Sequence, residues 1–250
     1  MSNTERHLGA GMNLDIAQAW ERLSQPVNVA LNQWQWLIVA FVILLLVVPR
    51  PVWRITGLYS TLIHELGHII AALFTGRYVA GLRLGWDHSG EVRSIGRGKI
   101  SVIVSGIFGY PAPIWVSALM LWGISTGYSG RALGIYALLF LLALIFVRNW
   151  PAFIVCTISA VVALGVVFFA PVEAYLYLAL LIAGFLLLAG LKDFVKLLSV
   201  HLWRRQDIAQ SDAYLIAEAT RTFASLWVLV ILVLGSGGLW WALLSLLGLF

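Results

Sequence analysis

The chain has 250 residues, of which 61% are hydrophobic and only 11% are charged, and its formal net charge is +5. Soluble domains are about 45 to 50% apolar and about 25% charged, so a water-soluble chain of this length could not bury so much apolar surface. The single cysteine, Cys156, excludes both a disulfide framework and a thiolate metal cluster. Most basic residues flank hydrophobic segments, where they would meet lipid headgroups. Composition therefore predicts a protein of the lipid bilayer that binds no nucleic acid.

The chain begins with a polar segment and continues as one hydrophobic domain. Residues 1–33 contain no apolar run of the kind that a signal peptide has after a basic start. Four of their side chains could form one face of a short interfacial helix, namely Leu14, Ile16, Trp20 and Leu23. The rest contains no polar linker and no repeat, so we predict a single polytopic membrane domain over residues 34–250.

Several segments of this domain are long enough to cross a bilayer. A transmembrane helix needs about 20 mainly apolar residues, with about 17 as the lower limit. The predicted fold class is therefore an all-α membrane protein with six or seven transmembrane helices. They lie near residues 34–50, 55–75, 100–125, 132–147, 151–170, 173–192 and 223–250, and the first and the fourth are short.

The basic residues predict an orientation in the membrane, because cytoplasmic loops carry an excess of Lys and Arg. With seven spans, all but three of the 16 basic residues fall on one side, and the exceptions are Arg50, Arg54 and Arg131. This distribution predicts a multi-pass protein of the cytoplasmic membrane with a cytoplasmic N-terminus and an external C-terminus.

Two connections are long enough to have a structure of their own. Residues 77–99 alternate between apolar and polar side chains around Gly85 and around Ser89-Gly90, which predicts a small β-hairpin at the cytoplasmic surface. Residues 193–221 are typical of a polar helix with a break near Ser211 and Asp212, either of which could cap a following turn.

One short motif carries the chemistry, His64-Glu65-Leu66-Gly67-His68. Helical residues four apart lie on the same face, so His64 and His68 can present two imidazole nitrogens to one metal ion. Glu65 lies about 100° around the helix, close enough to accept a proton from a metal-bound water without being a ligand. Zinc supplies an acidic water and a polarised carbonyl, and the glutamate moves the proton. The motif predicts a peptidase with one Zn²⁺ per chain.

The surroundings of the motif support a functional interpretation. Apolar residues flank it on both sides, and a carboxylate near the middle of a span costs about 2.5 to 3.5 kcal/mol on insertion scales. Glu65 therefore needs an explanation. The alternative to a metal site is a polar cluster that joins two helices by hydrogen bonds.

Catalytic zinc usually has three protein ligands and one open position, so a third ligand must come from elsewhere in the chain. We select Asp193, because a carboxylate would leave the buried unit at a charge of about +1. Asp212 is the second choice and Asn149 the third. The other possibilities are Asp87, His88 and His201. Asp193 could instead be a solvated partner of a neighbouring lysine at a helix end.

Further segments make the sequence similar to a known family. They are Ala71-Ala72-Leu73-Phe74-Thr75-Gly76-Arg77, Ser105-Gly106-Ile107-Phe108-Gly109-Tyr110-Pro111-Ala112-Pro113, Val147-Arg148-Asn149, Gly190-Leu191-Lys192-Asp193, and Ser211-Asp212-Ala213 with Thr220 and Trp227. Together with the motif, they resemble the site-2 protease family of intramembrane zinc metallopeptidases, and more closely its compact B-like branch. The resemblance covers most of residues 57–230.

The resemblance implies that His64 and His68 hold zinc, that Glu65 is the catalytic base, and that the substrate is cut within or beside the membrane. Better-known members supply their third ligand from an Asp-Gly motif, whereas Phe194 follows Asp193 here.

The sequence thus predicts an intramembrane zinc endopeptidase that acts on a membrane protein or peptide. The main alternative is a catalytically inactive membrane scaffold that keeps the fold. A transporter has less support, because no charged pathway crosses several spans. Gly109 to Pro113 should interrupt a helix, because two prolines prevent an unbroken one. We expect that break to border the active-site pocket, although it could also only shape helix packing.

Overall fold

A computed structural model gives the architecture of residues 20–21, 23–26, 30–171 and 173–249. Most of the predicted interfacial segment, 1–33, lies outside these described residues, so that prediction is not tested. The first half of the fold contains α1 (Gln33–Val47), α2 (Arg50–Phe74), β1 (Tyr78–Leu84), β2 (Gly90–Ile95), α3 (Lys99–Ile107) and α4 (Ala112–Ser125). The second half contains α5 (Ser129–Ala143), α6 (Trp150–Phe169), α7 (Glu173–Leu202), a 3₁₀ turn (Arg205–Gln210), α8 (Asp212–Thr220) and α9 (Ala224–Leu246).

Every predicted hydrophobic segment is helical, but the predicted number of spans is not confirmed. Among the described helices, four are long and apolar enough to cross a membrane, namely α2, α6, α7 and α9. Helices α3 and α4 qualify only as a pair that is bent by 59°, which would make a fifth span. Helices α1 and α5 have 15 residues each, below the usual lower limit of about 17. The protein is therefore a helical integral membrane protein with four or five candidate spans.

Helix α7 differs from its prediction. The sequence suggested that a span ends near residue 192 and that a separate polar segment follows, whereas one helix of 30 residues continues to Leu202. Asp193 consequently lies inside a helix and not at its end. The later break is confirmed, because the Ser211 side chain accepts a hydrogen bond from the Tyr214 amide and caps α8.

The predicted β-hairpin is present, and it runs back alongside α2 instead of continuing away from the end of that helix. Strands β1 and β2 pair in antiparallel fashion and fold back along the length of α2. A side chain at Gly57, in the second turn of α2, would meet the His88 ring at the tip of the hairpin. A side chain at Gly90 would meet Glu65, two turns further along α2. The hairpin thus lies beside the zinc-motif helix over about two of its turns.

The two edges of this hairpin have different surroundings. The outer edge of β1 is paired, since the Leu82 amide donates to the Phe146 carbonyl (2.7 Å) and the Leu82 carbonyl accepts from the Arg148 amide (2.9 Å). The Asn149 side chain then bonds both backbone groups of Leu84. Within the described part of the chain, no backbone bond covers the outer edge of β2. The outer edge of β2 therefore remains available at Gly90 and Val92, whereas the Ser94 carbonyl accepts a hydrogen bond from the Arg77 guanidinium.

Helix α4 lies at the centre of the bundle, against α7 and α9. The Ser117 hydroxyl donates to the Ala183 carbonyl of α7 (2.7 Å), and the Trp115 indole donates to the Leu234 carbonyl of α9 (3.0 Å). Each bond satisfies a polar group that would be costly to leave unpaired in an apolar interior. These bonds fix the helices that surround the zinc motif.

Candidate metal centre

The zinc motif lies in the middle of α2, where it presents one polar face to the interior of the bundle. His64 and His68 are one turn apart, and their Nε2 atoms are separated by 3.1 Å. The two rings lie almost perpendicular to each other, with their centroids 4.8 Å apart. The helical spacing therefore places both imidazoles beside one point, as the sequence predicts.

A carboxylate from the other end of the sequence completes this group. Asp212, the first residue of α8, places its Oδ2 3.2 Å from His64 Nε2 and 3.3 Å from His68 Nε2. In the described part of the chain, these three form the group of potential ligands whose atoms all lie within 4.8 Å of one another. All three side chains are at least 84% shielded, since their exposed fractions are 15%, 12% and 16%.

The donor atoms suit a metal ion. His68 Nδ1 lies 2.7 Å from the Ser105 carbonyl, which can only accept, so in the neutral ring Nδ1 carries the proton and Nε2 has a free lone pair. The buried Asp212 Oδ2 has no hydrogen-bond partner among the described residues unless Nε2 of one imidazole carries a hydrogen. Ligands about 2.0 to 2.1 Å from a tetrahedral zinc ion lie about 3.3 to 3.4 Å apart, close to the separations found here.

Electrostatics keep the Asp212 carboxylate ionised. Burial raises its pKa, but the charge of His68 and hydrogen bonds from His64 and His68 lower it more. The resulting pKa of Asp212 lies below its usual range. An ionised carboxylate is the form that binds a metal ion.

Glu65 lies beside the group and is not one of its members. Its side chain is only 6% exposed, and it packs under Gly90 of β2, where an added Cβ would overlap its carboxylate. Glu65, His68 and Asp212 line the same cavity of about 320 Å³, whose walls are β2, α3 and α8. A buried carboxylate therefore faces a cavity that also contains two of the candidate ligands.

The interrupted helix borders this centre, as predicted. A Cβ at Gly109 would lie 2.5 Å from His68 Nε2 and 2.7 Å from His64 Nε2. The ring of the next residue, Tyr110, packs edge-on against His64 with centroids 4.7 Å apart. Only a residue without a side chain lets the backbone between α3 and α4 come so close to the imidazoles.

The structure places the first choice for the third ligand, Asp193, outside this group and brings the second choice, Asp212, into it. The Asp193 carboxylate accepts a hydrogen bond from the Ser60 hydroxyl (2.7 Å), one turn before His64, and is not part of the group of three. The cause is the continuation of α7 through Asp193 to Leu202. The next element then turns back and brings Asp212 to the imidazoles.

The other candidates have structural partners. Asn149 bonds the backbone of β1, and His88 lies 3.0 Å from the Arg54 carbonyl. His201 Nε2 lies 3.2 Å from the hydroxyl of Ser211, the residue that caps α8 immediately before Asp212. His201 thus supports the element that carries the third candidate ligand, a role that the sequence did not suggest. Ser211 followed by Asp212 is the signal in the sequence for a capped helix with a carboxylate in its first turn.

Comparison with known proteins agrees with this geometry. A protein-family model described as Peptidase M50B-like matches residues 37–242, a range that contains the zinc motif, the hairpin and Asp212. Neither the search of curated proteins nor the search of solved structures found a match. Since the matched range covers most of the 250 residues, the chain belongs to the Peptidase M50B-like family.

Proposed function

We propose that the protein is an intramembrane zinc endopeptidase that hydrolyses peptide bonds of a membrane protein or peptide. One observation carries the proposal. Two imidazole nitrogens of a candidate membrane span and a carboxylate oxygen of α8 converge at 3.1 to 3.3 Å, and a buried glutamate lies beside them. Membership of the family supports a metallopeptidase, and the arrangement of these side chains supports the specific roles that follow.

His64, His68 and Asp212 would hold one zinc ion. The ion, when bound, supplies Lewis-acid chemistry that makes water more acidic and polarises a carbonyl group. The carboxylate reduces the charge of the unit to about +1, which is less costly to bury than +2. Ser105 fixes the tautomer of His68 through Nδ1, so that Nε2 remains free to bind.

Glu65 would be the general base. Its carboxylate faces the cavity but is not in the ligand group, so an oxygen atom is free to accept a proton from water. The same oxygen can then deliver the proton to the leaving amine. Burial under Gly90 restricts the carboxylate to few positions, which keeps it oriented for both transfers.

The available edge of β2 offers a place for the substrate backbone. The amide and carbonyl groups of Leu82 and Leu84 point away from β2. In an antiparallel pair, the amide and carbonyl groups of the opposite residues, Val92 and Gly90, then point to the outer edge of β2. Both partners line the cavity that contains Glu65. A substrate that has unwound locally could therefore pair with β2 and place a carbonyl in this cavity.

Metal content provides the first test. Detergent-purified wild-type protein should contain one zinc per chain, and Asp212→Ala should lose it. Asp193→Ala is the matched control, because it also removes an aspartate carboxylate, here the one that is bonded to Ser60, and it should keep its zinc. Loss of zinc from Asp193→Ala alone would return the third position to Asp193.

Cleavage provides the second test. Glu65→Gln should keep zinc and lose cleavage of a membrane substrate by about 10² to 10⁴-fold, the usual contribution of a general base. Glu91→Gln is the matched control, because Glu91 lines the same cavity but is exposed and paired with Arg93. A Glu65→Gln variant with normal cleavage would refute the peptidase and leave a metal-binding scaffold.

We also propose that the N-terminus is cytoplasmic and the C-terminus external, on the basis of the basic residues. The single native cysteine, Cys156, is buried, so an introduced cysteine can be labelled selectively. A cysteine at Leu249, which is 63% exposed, should react with a membrane-impermeant maleimide in intact cells. Labelling only after lysis would reverse the orientation.

A further inference from the structure

A second cavity lies at the opposite end of the hairpin, away from the metal centre. It has a volume of about 510 Å³ and is lined by Arg50, Trp53, Arg54, Trp86, Asp87 and His88. Its walls are the first turns of α2 and the tip between β1 and β2. The proposed peptidase mechanism uses none of these residues.

The charges at this cavity are predominantly positive. Arg50 and Arg54 are four residues apart in α2 and so lie on one face. In the described part of the chain, no carboxylate lies within ion-pairing distance of either guanidinium group. A third cation, Lys192, stacks its ammonium group 3.7 Å from the centre of the Trp53 ring.

One carboxylate lines the cavity, but it is engaged within its own turn. Asp87 Oδ1 accepts hydrogen bonds from the Ser89 amide (3.1 Å) and the Ser89 hydroxyl (2.5 Å). These bonds lower the pKa of Asp87, so it remains ionised and balances one positive charge. Asp193 follows Lys192 in the sequence and offsets its charge, so the two arginines against Asp87 leave one positive charge in excess, which favours an anion.

Specific contacts hold the tip of the hairpin against the start of α2. His88 has a left-handed backbone conformation (φ 66°), and its Nε2 lies 3.0 Å from the Arg54 carbonyl. Its ring packs edge-on against Trp53, and Gly57 leaves room for it. A backbone conformation that is uncommon for a residue other than glycine is thus held by specific contacts, which fixes one wall of the cavity.

The position in the membrane favours a lipid over a free ion. Arg50 is the first residue of a candidate span, and tryptophan side chains such as Trp86, which is 58% exposed, are enriched at the level of lipid headgroups. Val48 and Ile55, on either side of the arginines in sequence, are 65% and 67% exposed. Apolar surface for acyl chains is therefore present next to the cationic groups.

We propose that this cavity binds the phosphate group of an anionic phospholipid, with Arg50 and Arg54 as the charged contacts. Planar guanidinium groups are suited to phosphate oxygens because they donate two parallel hydrogen bonds. The two tryptophans supply apolar walls at the depth where the headgroup meets the acyl chains. The site is independent of the proposed peptidase activity.

Native mass spectrometry of the full-length protein in a neutral detergent tests the proposal, with phosphatidylglycerol or phosphatidylcholine as the added lipid. Wild-type protein should bind phosphatidylglycerol preferentially. Arg50→Gln and Arg54→Gln should each weaken this binding about fivefold, and the double variant about 20- to 30-fold, as expected for basic residues close to an anionic lipid. Phosphatidylcholine has the same phosphate group but a compensating choline cation, so its binding should be weaker in the wild type and should fall less in the variants.

The matched control is Arg97→Gln with Lys99→Gln, which removes two exposed positive charges at the opposite end of the hairpin. Its preference for phosphatidylglycerol should equal that of the wild type, and an equal loss would overturn the proposal because any surface charge would then suffice. Equilibrium dialysis with inorganic phosphate alone distinguishes the source. Phosphate binding that requires both arginines, without a preference between the lipids, would overturn the lipid assignment. The single variants decide the question if the double variant does not fold.

Discussion

Replacement of Gly109 by alanine tests the contact between the interrupted helix and the metal centre. The new methyl carbon would lie 2.5 Å from His68 Nε2 and 2.7 Å from His64 Nε2, whereas ordinary van der Waals contact starts at 3.4 Å. Either the imidazoles or the backbone must therefore move by roughly 0.7 to 0.9 Å. Functional metal–ligand distances vary by only about 0.2 Å, so a shift of this size cannot be absorbed without loss.

We expect Gly109→Ala to bind zinc about 10- to 100-fold more weakly, the range seen when groups that orient metal ligands are changed. Competition with a chelator, followed by metal analysis of the purified protein, measures this affinity. Gly165→Ala in α6 is the control, because among the described residues nothing beyond its own stretch of helix lies within 4 Å of the added Cβ. Wild-type zinc affinity in Gly109→Ala would refute the placement of this backbone against the imidazoles.

Three further predictions concern the elements around the centre. Ser211→Ala removes the cap of α8 and should cost about 1 kcal/mol of stability while it weakens zinc binding, as measured by thermal unfolding and chelator competition; unchanged values would contradict the role of this cap. Gly90→Ala places a methyl group on the Glu65 carboxylate and should lower cleavage by at least about 10²-fold with zinc retained; normal cleavage would show that this packing is not required. Zinc at 100 times its Kd should stabilise the folded protein by about 2.7 kcal/mol, so removal of zinc should lower the thermal midpoint. An unchanged midpoint would argue against a metal that binds the folded state.

Local features of the site could be predicted because they depend on short-range periodicity. The spacing of His64 and His68 fixes their common helix face, and the Ser211 cap follows from residue type. The two prolines after Gly109 prevent an unbroken helix. Each of these inferences needs only the geometry of a single element.

The features that were not predicted depend on contacts between elements far apart in sequence. Asp212 reaches the imidazoles because α8 packs against α3, where Gly106 contacts Ile216, and no local pattern reveals that packing. The preference for Asp193 rests on the charge of its carboxylate, which does not report which helix packs against the imidazoles. The long helix α7 and the hairpin that lies along α2 also result from tertiary packing. The orientation of the termini stays a prediction.

The length of α7 has a consequence for how the protein responds to its membrane. A helix of 30 residues is about 45 Å long, whereas the hydrocarbon core is about 30 Å thick, so α7 must tilt or extend beyond the bilayer. Its last turn contains His201, which contacts the cap of the helix that begins with Asp212. Hydrophobic mismatch changes the tilt of a span. We therefore expect bilayer thickness to act, through α7, on the position of Asp212, the third candidate ligand.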